Sequence, residues 1–264
     1  MRRSNLPKIF VLALYAGALI VTPVHAQTEE AGSSDAWQFS AAIYLWGADI
    51  GGKTRDGSNI EVEFGDIIDN LEMAFMGGFR ACKGKWSFLT DVIYLDVSAN
   101  ETVGATIPVG PFEVDVTTNV NLDLTGWVLH FAGTYNLLSK GKSRLDLVGG
   151  VRYLDVDLDL TASLEALGPG RERILSESEG VWDGIVWVMG NFSLSDRWYI
   201  PYHFDIGTGE SDFTWQAMGG IAFRAAKWVD LTLVYRHLAW DFKSDMLIED
   251  INFSGPTFGA IFRF

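Results

Sequence analysis

From Trp37 onward the apolar residues of this chain return to every second position. Trp37, Phe39, Ala41, Ile43 and Leu45 share one parity, with Gln38 and Ser40 on the other, the two-residue period of a strand whose faces meet different surroundings. A second strand carries Leu71, Met73, Phe75 and Phe79 on one face and Asn70, Glu72 and Arg80 on the other. A third, after a tight turn at Lys83-Gly84-Lys85, turns Trp86, Phe88, Val92 and Tyr94 outward and Ser87 and Asp91 inward. Two long segments follow, 112–136 and 143–163, joined at Ser139-Lys140-Gly141-Lys142. Five shorter ones cover 181–194, 198–206, 213–225, 229–240 and 253–264. The pattern predicts ten strands, with eight and twelve as alternative counts.

The connections alternate in length, long after odd strands and short after even ones, as a barrel with short periplasmic turns and longer extracellular loops requires. An even count lets the first strand pair with the last, so no edge is left for lipid. The fold expected is all-β, a closed antiparallel up-and-down transmembrane β-barrel. Its aromatics fit: Trp86 with Tyr94, Trp127 with Tyr135 and Trp215 with Phe223 are each eight residues apart. That is about 26 Å of strand and, tilted by roughly 40°, about 20 Å of height, near the ~25 Å apolar band between aromatic girdles. The fragments Met76-Gly77-Gly78-Phe79-Arg80, Val148-Gly149-Gly150-Val151-Arg152 and Met218-Gly219-Gly220 form a weak strand-level repeat.

The ends add a location. Arg2, Arg3 and Lys8 precede an apolar run from Ile9 to Val21, then Thr22-Pro23 and Val24-His25-Ala26, the pattern of a secretory signal cleaved after Ala26. The run is shorter than the ~20 residues a spanning helix needs. Residues 1–26 are thus read as signal, 27–35 as a short periplasmic segment and 36–264 as the barrel. Phe258, Ala260, Phe262 and Phe264 alternate to the terminus. This ending resembles the C-terminal insertion signal of Gram-negative outer-membrane β-barrel proteins. The resemblance implies an outer-membrane location, contact with lipid and lipopolysaccharide, and recognition of the last strand by the barrel assembly machinery through Phe258, Phe262 and Phe264. It is one of architecture and targeting and points to no functional subfamily.

The chain has 264 residues and a net charge of −14, with 34 acidic residues against 20 basic ones. Loss of Arg2, Arg3 and Lys8 with the signal leaves 17 basic residues and a charge of −17. Such a surface repels phosphates and argues against nucleic acid as a partner. Cys82 is the only cysteine, which excludes an intramolecular disulfide and a multi-thiolate zinc site. No cofactor or metal is expected.

Two constellations are candidates for function. The inward parity carries Glu72, Arg80, Asp91, His130, Asp146, Arg152, Asp183, His203, Asp205, Arg224, Asp230, Arg236 and Arg263. These either fill the lumen as a paired network or line a narrow pore for small solutes. The second is a change of phase on the two long strands. Trp127, Leu129, Phe131, Leu145, Leu147, Val151 and Tyr153 mark the lipid face, whereas above them the apolar parity moves to Leu122, Leu124, Leu154, Val156 and Leu158. Without a bulge those residues face inward, with Trp240, Val97 and Phe242, and form an apolar pocket in the extracellular half. A bulge would instead reset the alternation, and the outward acids Asp115, Asp123, Asp155, Asp157 and Asp159 would remain a solvated face. His203 and Asp205 invite comparison with the acid and histidine residues of omptin-type proteases, and lipid A deacylases use a Ser/His pair, but no accompanying motif is present. No catalytic residue is assigned, and the expected role is non-enzymatic: passage of small solutes, apolar ones among them, or a structural and surface-interaction barrel with a plugged lumen. Deleting Phe264 is expected to lower the yield of inserted protein, read as the fraction of the chain showing a heat-dependent gel shift in outer-membrane extracts.

Overall fold

The computed structural model describes residues 36–109 except 56 and 58, and residues 112–164, 172–244 and 248–264. The expected signal and the segment 27–35 lie outside the described residues. The elements are β1 (Gln38–Trp46), β2 (Asp49–Thr54), β3 (Asn59–Val62), the short helix α1 (Phe64–Asp69), β4 (Leu71–Lys83), β5 (Trp86–Val109), β6 (Phe112–Lys140), β7 (Ser143–Leu164), β8 (Glu172–Ser193), β9 (Trp198–Gly209), β10 (Phe213–Arg224), β11 (Val229–Asp241) and β12 (Ile248–Arg263). Among the described residues no helix is long and apolar enough to cross a membrane.

Ten strands close the barrel. β4 to β12 pair antiparallel in chain order, and β1 pairs with β4 on one side and β12 on the other. Two further strands stand outside the ring. β12 continues beyond its last partner on β1, the Trp46↔Thr257 pair, and there β2 takes over from Ser254 to Ile248, with β3 on its far side. The sequence DIGGKT of β2 has no apolar alternation, so the overhang of β12 recruits it, not its own pattern. The third connection also differs from the expected long loop. β5 and β6 stay paired out to Val109↔Phe112, and β7 and β8 to Ser163↔Glu172. Past Tyr94, β5 runs fifteen more residues, about 50 Å of strand. These four strands form a raised wall on the side opposite the short turns.

The outer surface is that of a membrane span. Ile43, Leu45, Phe75, Leu147, Val186, Phe204, Leu233 and Phe258 are exposed, which in water would be a large uncompensated apolar area. Aromatics bound the belt. On the short-turn side Trp86 meets Tyr135 with centroids 4.9 Å apart, Trp198 meets Phe223 at 4.7 Å, and Phe39 stacks on Phe264. On the other side lie Tyr94 with Trp127 at 4.4 Å, Tyr153 with Trp182 at 4.5 Å, and Trp215 with His237 at 4.5 Å. Trp and Tyr prefer such interfaces because one end of each ring is apolar and the other polar. Beyond the belt, Lys142 donates to Asp196 at 2.7 Å between two short turns, and this bond holds the Asp196 carboxyl below the usual carboxylate range.

In two of the three repeated Gly-Gly pairs the second glycine marks a close approach of neighbouring strands. A Cβ on Gly150 would run into the Phe131 carbonyl oxygen and lie 2.7 Å from the Ala132 Cβ; one on Gly220 would meet the Leu233 carbonyl oxygen. Neither neighbour can yield without moving backbone. Gly150→Ala is expected to destabilise the barrel by about 1–3 kcal/mol, the usual cost of overpacking, read as a lower urea midpoint for loss of the heat-modifiable band, whereas Gly149→Ala, with nothing near its Cβ, should change it little.

Candidate functional site

Alternation aims one side chain of every second residue into the lumen, and at mid-height these residues are polar on seven strands. β7 supplies Arg152, β6 His130, β5 Asp91, β9 His203 and Asp205, β10 Thr214 and Gln216, β11 Arg236 and β1 Tyr44. Arg152 and Asp205, both fully buried, meet through one nitrogen: Nη2 lies 2.7 Å from each carboxylate oxygen. Arg152 Nη1 donates to Thr214 Oγ1 at 2.8 Å and Nε to His130 Nε2 at 2.6 Å. That last bond requires an unprotonated Nε2. The proton of a neutral His130 is then on Nδ1, 3.5 Å from Asp91 Oδ2. Arg236 donates to Gln216 Oε1 at 2.8 Å, to Tyr44 Oη at 3.2 Å and to Asp91 at 3.3 Å, while Tyr44 donates to Asp91 Oδ1 at 2.7 Å. His203 Nε2 lies 2.6 Å from Asp205 Oδ2. Two guanidiniums thus face two carboxylates, with neutral groups filling the remaining valences, which is what burial of charge demands.

Above this network the lumen is apolar and packed. Trp46, Ile93, Val128, Leu154, Val181, Leu238 and Trp240 come from six strands around the ring and form one buried cluster, with Ala48 and Phe242. Leu238, Trp240 and Val181 are at most 1% exposed, so the cluster leaves them no solvent. The layers are joined by stacking. The Arg152 guanidinium carbon lies 5.6 Å from the Trp240 ring centroid, and that of Arg236 4.6 Å from Trp46. Higher still, Ile67 of α1 packs with Ile50 and Val97, against Leu71 and Leu124.

Below the network lies a cavity of about 440 Å³, lined on one side by Leu89, Trp187 and Met189 and reaching Arg144, Arg224 and Arg263 at the short-turn end. Near its mouth Arg80 and Arg144 share Asp146 at 2.8 and 2.6 Å. Asp230 is held by Arg263 and by the Tyr199 hydroxyl at 2.7 Å.

The expected lumen residues therefore fall in three places. Asp91, His130, Arg152, His203, Asp205 and Arg236 share the central network, and the side chains of His203 and Asp205, which need not have met, do meet. Arg80, Asp146, Arg224, Asp230 and Arg263 belong to the lower cavity. Arg224 and Asp230 are register partners, yet Asp230 pairs with Arg263 and Arg224 lies over the Tyr199 ring at 4.7 Å. Asp183 sits higher and accepts from Ser211 N and Oγ at 3.0 and 2.8 Å, fixing the β9–β10 turn. Glu72 is a correction. It is the extra residue of a bulge between Leu71 and Met73 and is exposed, while Leu71, expected on the outer face, turns in. Tyr44, Thr214 and Gln216 were missed, although the inward parity of β1 and β10 marks them.

No register shift interrupts β6 and β7 from Leu145 upward, so the phase change is continuous alternation and not a reset. Leu154 and Trp240 are buried in the apolar cluster, Val156 packs against it, and Leu124 packs beside α1. Asp123, Asp157 and Asp159 are exposed. The side chains of Leu122, Leu158 and Asp115 lie outside the described residues. Phe258 and Phe264 are exposed on the outer surface, and Phe262 stacks on Trp228 at 6.1 Å.

No family model matches the sequence, and no curated protein sequence matches it. Solved structures do. The outer membrane protease OmpT of Escherichia coli superposes with a TM-score of 0.51 over 90% of this chain and 99% of that one, at 8% identity. The chain is a closed ten-stranded antiparallel β-barrel with an exposed apolar belt, the fold of that outer-membrane protein. The barrel also matches the translocator domain of autotransporter NalP from Neisseria meningitidis, with a TM-score of 0.46 and 15% identity over 88% and 90% of the two chains. The P. putida toluene transporter TodX matches with a TM-score of 0.32 and 12% identity, over 88% and 90%. At these identities the likeness concerns the fold.

Asp205→Asn or Arg152→Met in this barrel removes one half of a buried ion pair. Each is expected to cost about 3–5 kcal/mol, read as a lower urea midpoint of the folded band. Arg152→Met with Asp205→Leu should lose less than either single variant.

Proposed function

We propose that the protein is a non-enzymatic outer-membrane barrel with a closed lumen, whose outward activity is that of a structural and surface-interaction protein. The observation that carries this reading is the packed layer of Trp46, Leu154, Val181, Leu238 and Trp240 seated on the Arg152–Asp205 and Arg236–Asp91 network. Passage of a small solute would have to displace two tryptophans stacked on guanidiniums and separate buried charges. The wall of β5 to β8 supports an outward role, because it raises acidic faces such as Asp123, Asp157 and Asp159 beside the lipopolysaccharide layer. Against an enzyme, His203 lies beneath the apolar layer, beyond reach of an extracellular substrate, and its neighbour Asp205 is already engaged by Arg152. Assembly is read as passing through the barrel assembly machinery, with Phe258, Phe262 and Phe264 as the recognised residues.

The competing reading, a narrow passage for small solutes, has the lower cavity in its favour. Purified protein shown to be folded by its heat-dependent gel shift is expected to give no current above background in planar bilayers and no swelling of liposomes in small sugars. Steady single-channel steps from the unmodified chain would overturn the closed-lumen reading.

A further inference from the structure

The cavity below the central network has the wrong charge for the protein that contains it. The chain carries 34 acidic residues against 20 basic ones, yet the periplasmic mouth of the cavity brings Arg80, Arg144, Arg224 and Arg263 to two carboxylates, Asp146 and Asp230. Arg80 and Arg144 divide a single Asp146 between them. Arg224 spreads over the Tyr199 ring and donates to the Asp196 main-chain oxygen at 3.1 Å, while the Asp196 carboxylate, which feels its charge, is bonded to Lys142. The excess of guanidinium inside an acidic chain marks a place where a further anion is stabilised, and the partly apolar walls raise the strength of that attraction above its value in water.

The interior of the same cavity is built for something other than a hydrated inorganic ion. Leu89, Trp187, Met189 and Met218 line it, and thioether and indole surfaces favour apolar and aromatic bodies. Trp187 and Thr257 are also on its lining, about 95% buried, and the Trp187 Nε1 and Thr257 Oγ1 have no hydrogen-bond partner in the protein. Buried donors of this kind are normally satisfied by water or ligand. At about 440 Å³ the cavity is within the size range of small-molecule sites.

We propose that the periplasmic half of the lumen binds a small organic carboxylate with an aromatic body, entered from the periplasm, with its charge at the arginine mouth and its ring against Trp187 and the two methionines. The proposal depends on the closed-lumen reading only for the blind upper end of the site.

The test is calorimetric titration of the mature protein in lipid nanodiscs with 2-naphthoate and, as a cation of the same shape, 2-(aminomethyl)naphthalene, with heats from empty nanodiscs subtracted. Saturable binding of the carboxylate at one per barrel is expected, with the cation weaker by about tenfold or more. Arg144→Gln with Arg224→Gln should weaken the carboxylate by a similar factor; both changes leave Asp146 paired with Arg80 and Asp230 with Arg263. Trp187→Ala should weaken both probes by removing the ring surface against which the naphthalene packs. Equal binding of the two probes to the unmodified protein, or no saturable binding, would sink the proposal. So would unchanged affinity in the folded double arginine variant. If that variant does not fold, the contrast between the two probes on the unmodified chain still decides. Conductance and binding are separate readouts, so a barrel that conducts and one that binds no anion are different failures.

Discussion

A guanidinium buried beside a carboxylate, Arg152 on Asp205, organises the interior of this barrel. Closing a sheet of ten strands places every second residue of each in one narrow space, and a charge there has no water to fall back on. Arg152 meets the constraint with its edge, through Asp205, His130 and Thr214. Its face is left for Trp240. A planar cation is suited to both contacts at once, and Arg236 repeats the device between Asp91 and Trp46. Because of these two residues an apolar layer can rest directly on a charged one, and the ring of strands is held across its diameter as well as along its ladders.

What could be read in advance follows from where the information lies. Alternation is a local property, so Trp86, Phe88 and Ser87, or Leu147 and Arg152, reveal their faces within a few residues, and ten such segments with short turns at Gly84 and Gly141 define the ring. The change of phase above Trp127 and Tyr153 was legible for the same reason. Pairing across the lumen was not. Arg224 and Asp230 are neighbours along the chain and in register, but the Asp230 carboxylate belongs to Arg263, on the strand at the other side of β11. Glu72 was misplaced because a bulge inserts one residue, an event with no signature in the parity of Met73 and Phe75. β2 and β3 were invisible because their pairing comes from a neighbour's overhang, and Gly51 and Gly52 carry no pattern.

The two ends of the barrel have different chemistry although the same ten strands build both. Toward the short turns the interior is a basic, partly apolar recess. Toward the long hairpins it is a dry core roofed by Ile67 and Ile50, and the acids face outward. An acidic exterior at one end and an arginine-lined interior at the other mean that the protein presents opposite signs of charge to the two compartments it separates, without any change in the membrane-facing belt between them.

The change of partner along β12 bears on how the ring could ever open. One way for a barrel to release a molecule sideways into lipid is to part its first strand from its last. Here β1 holds β12 from Arg263 up to Thr257, and β2 holds the rest from Ser254 to Ile248, the two grips joined by the short segment around Gly47. Parting the seam would require both ladders to unzip together, since either one left intact keeps β12 in place. The seam is in effect stitched twice by consecutive stretches of the same strand-turn, so a sideways route along it is closed by two ladders where one would be expected.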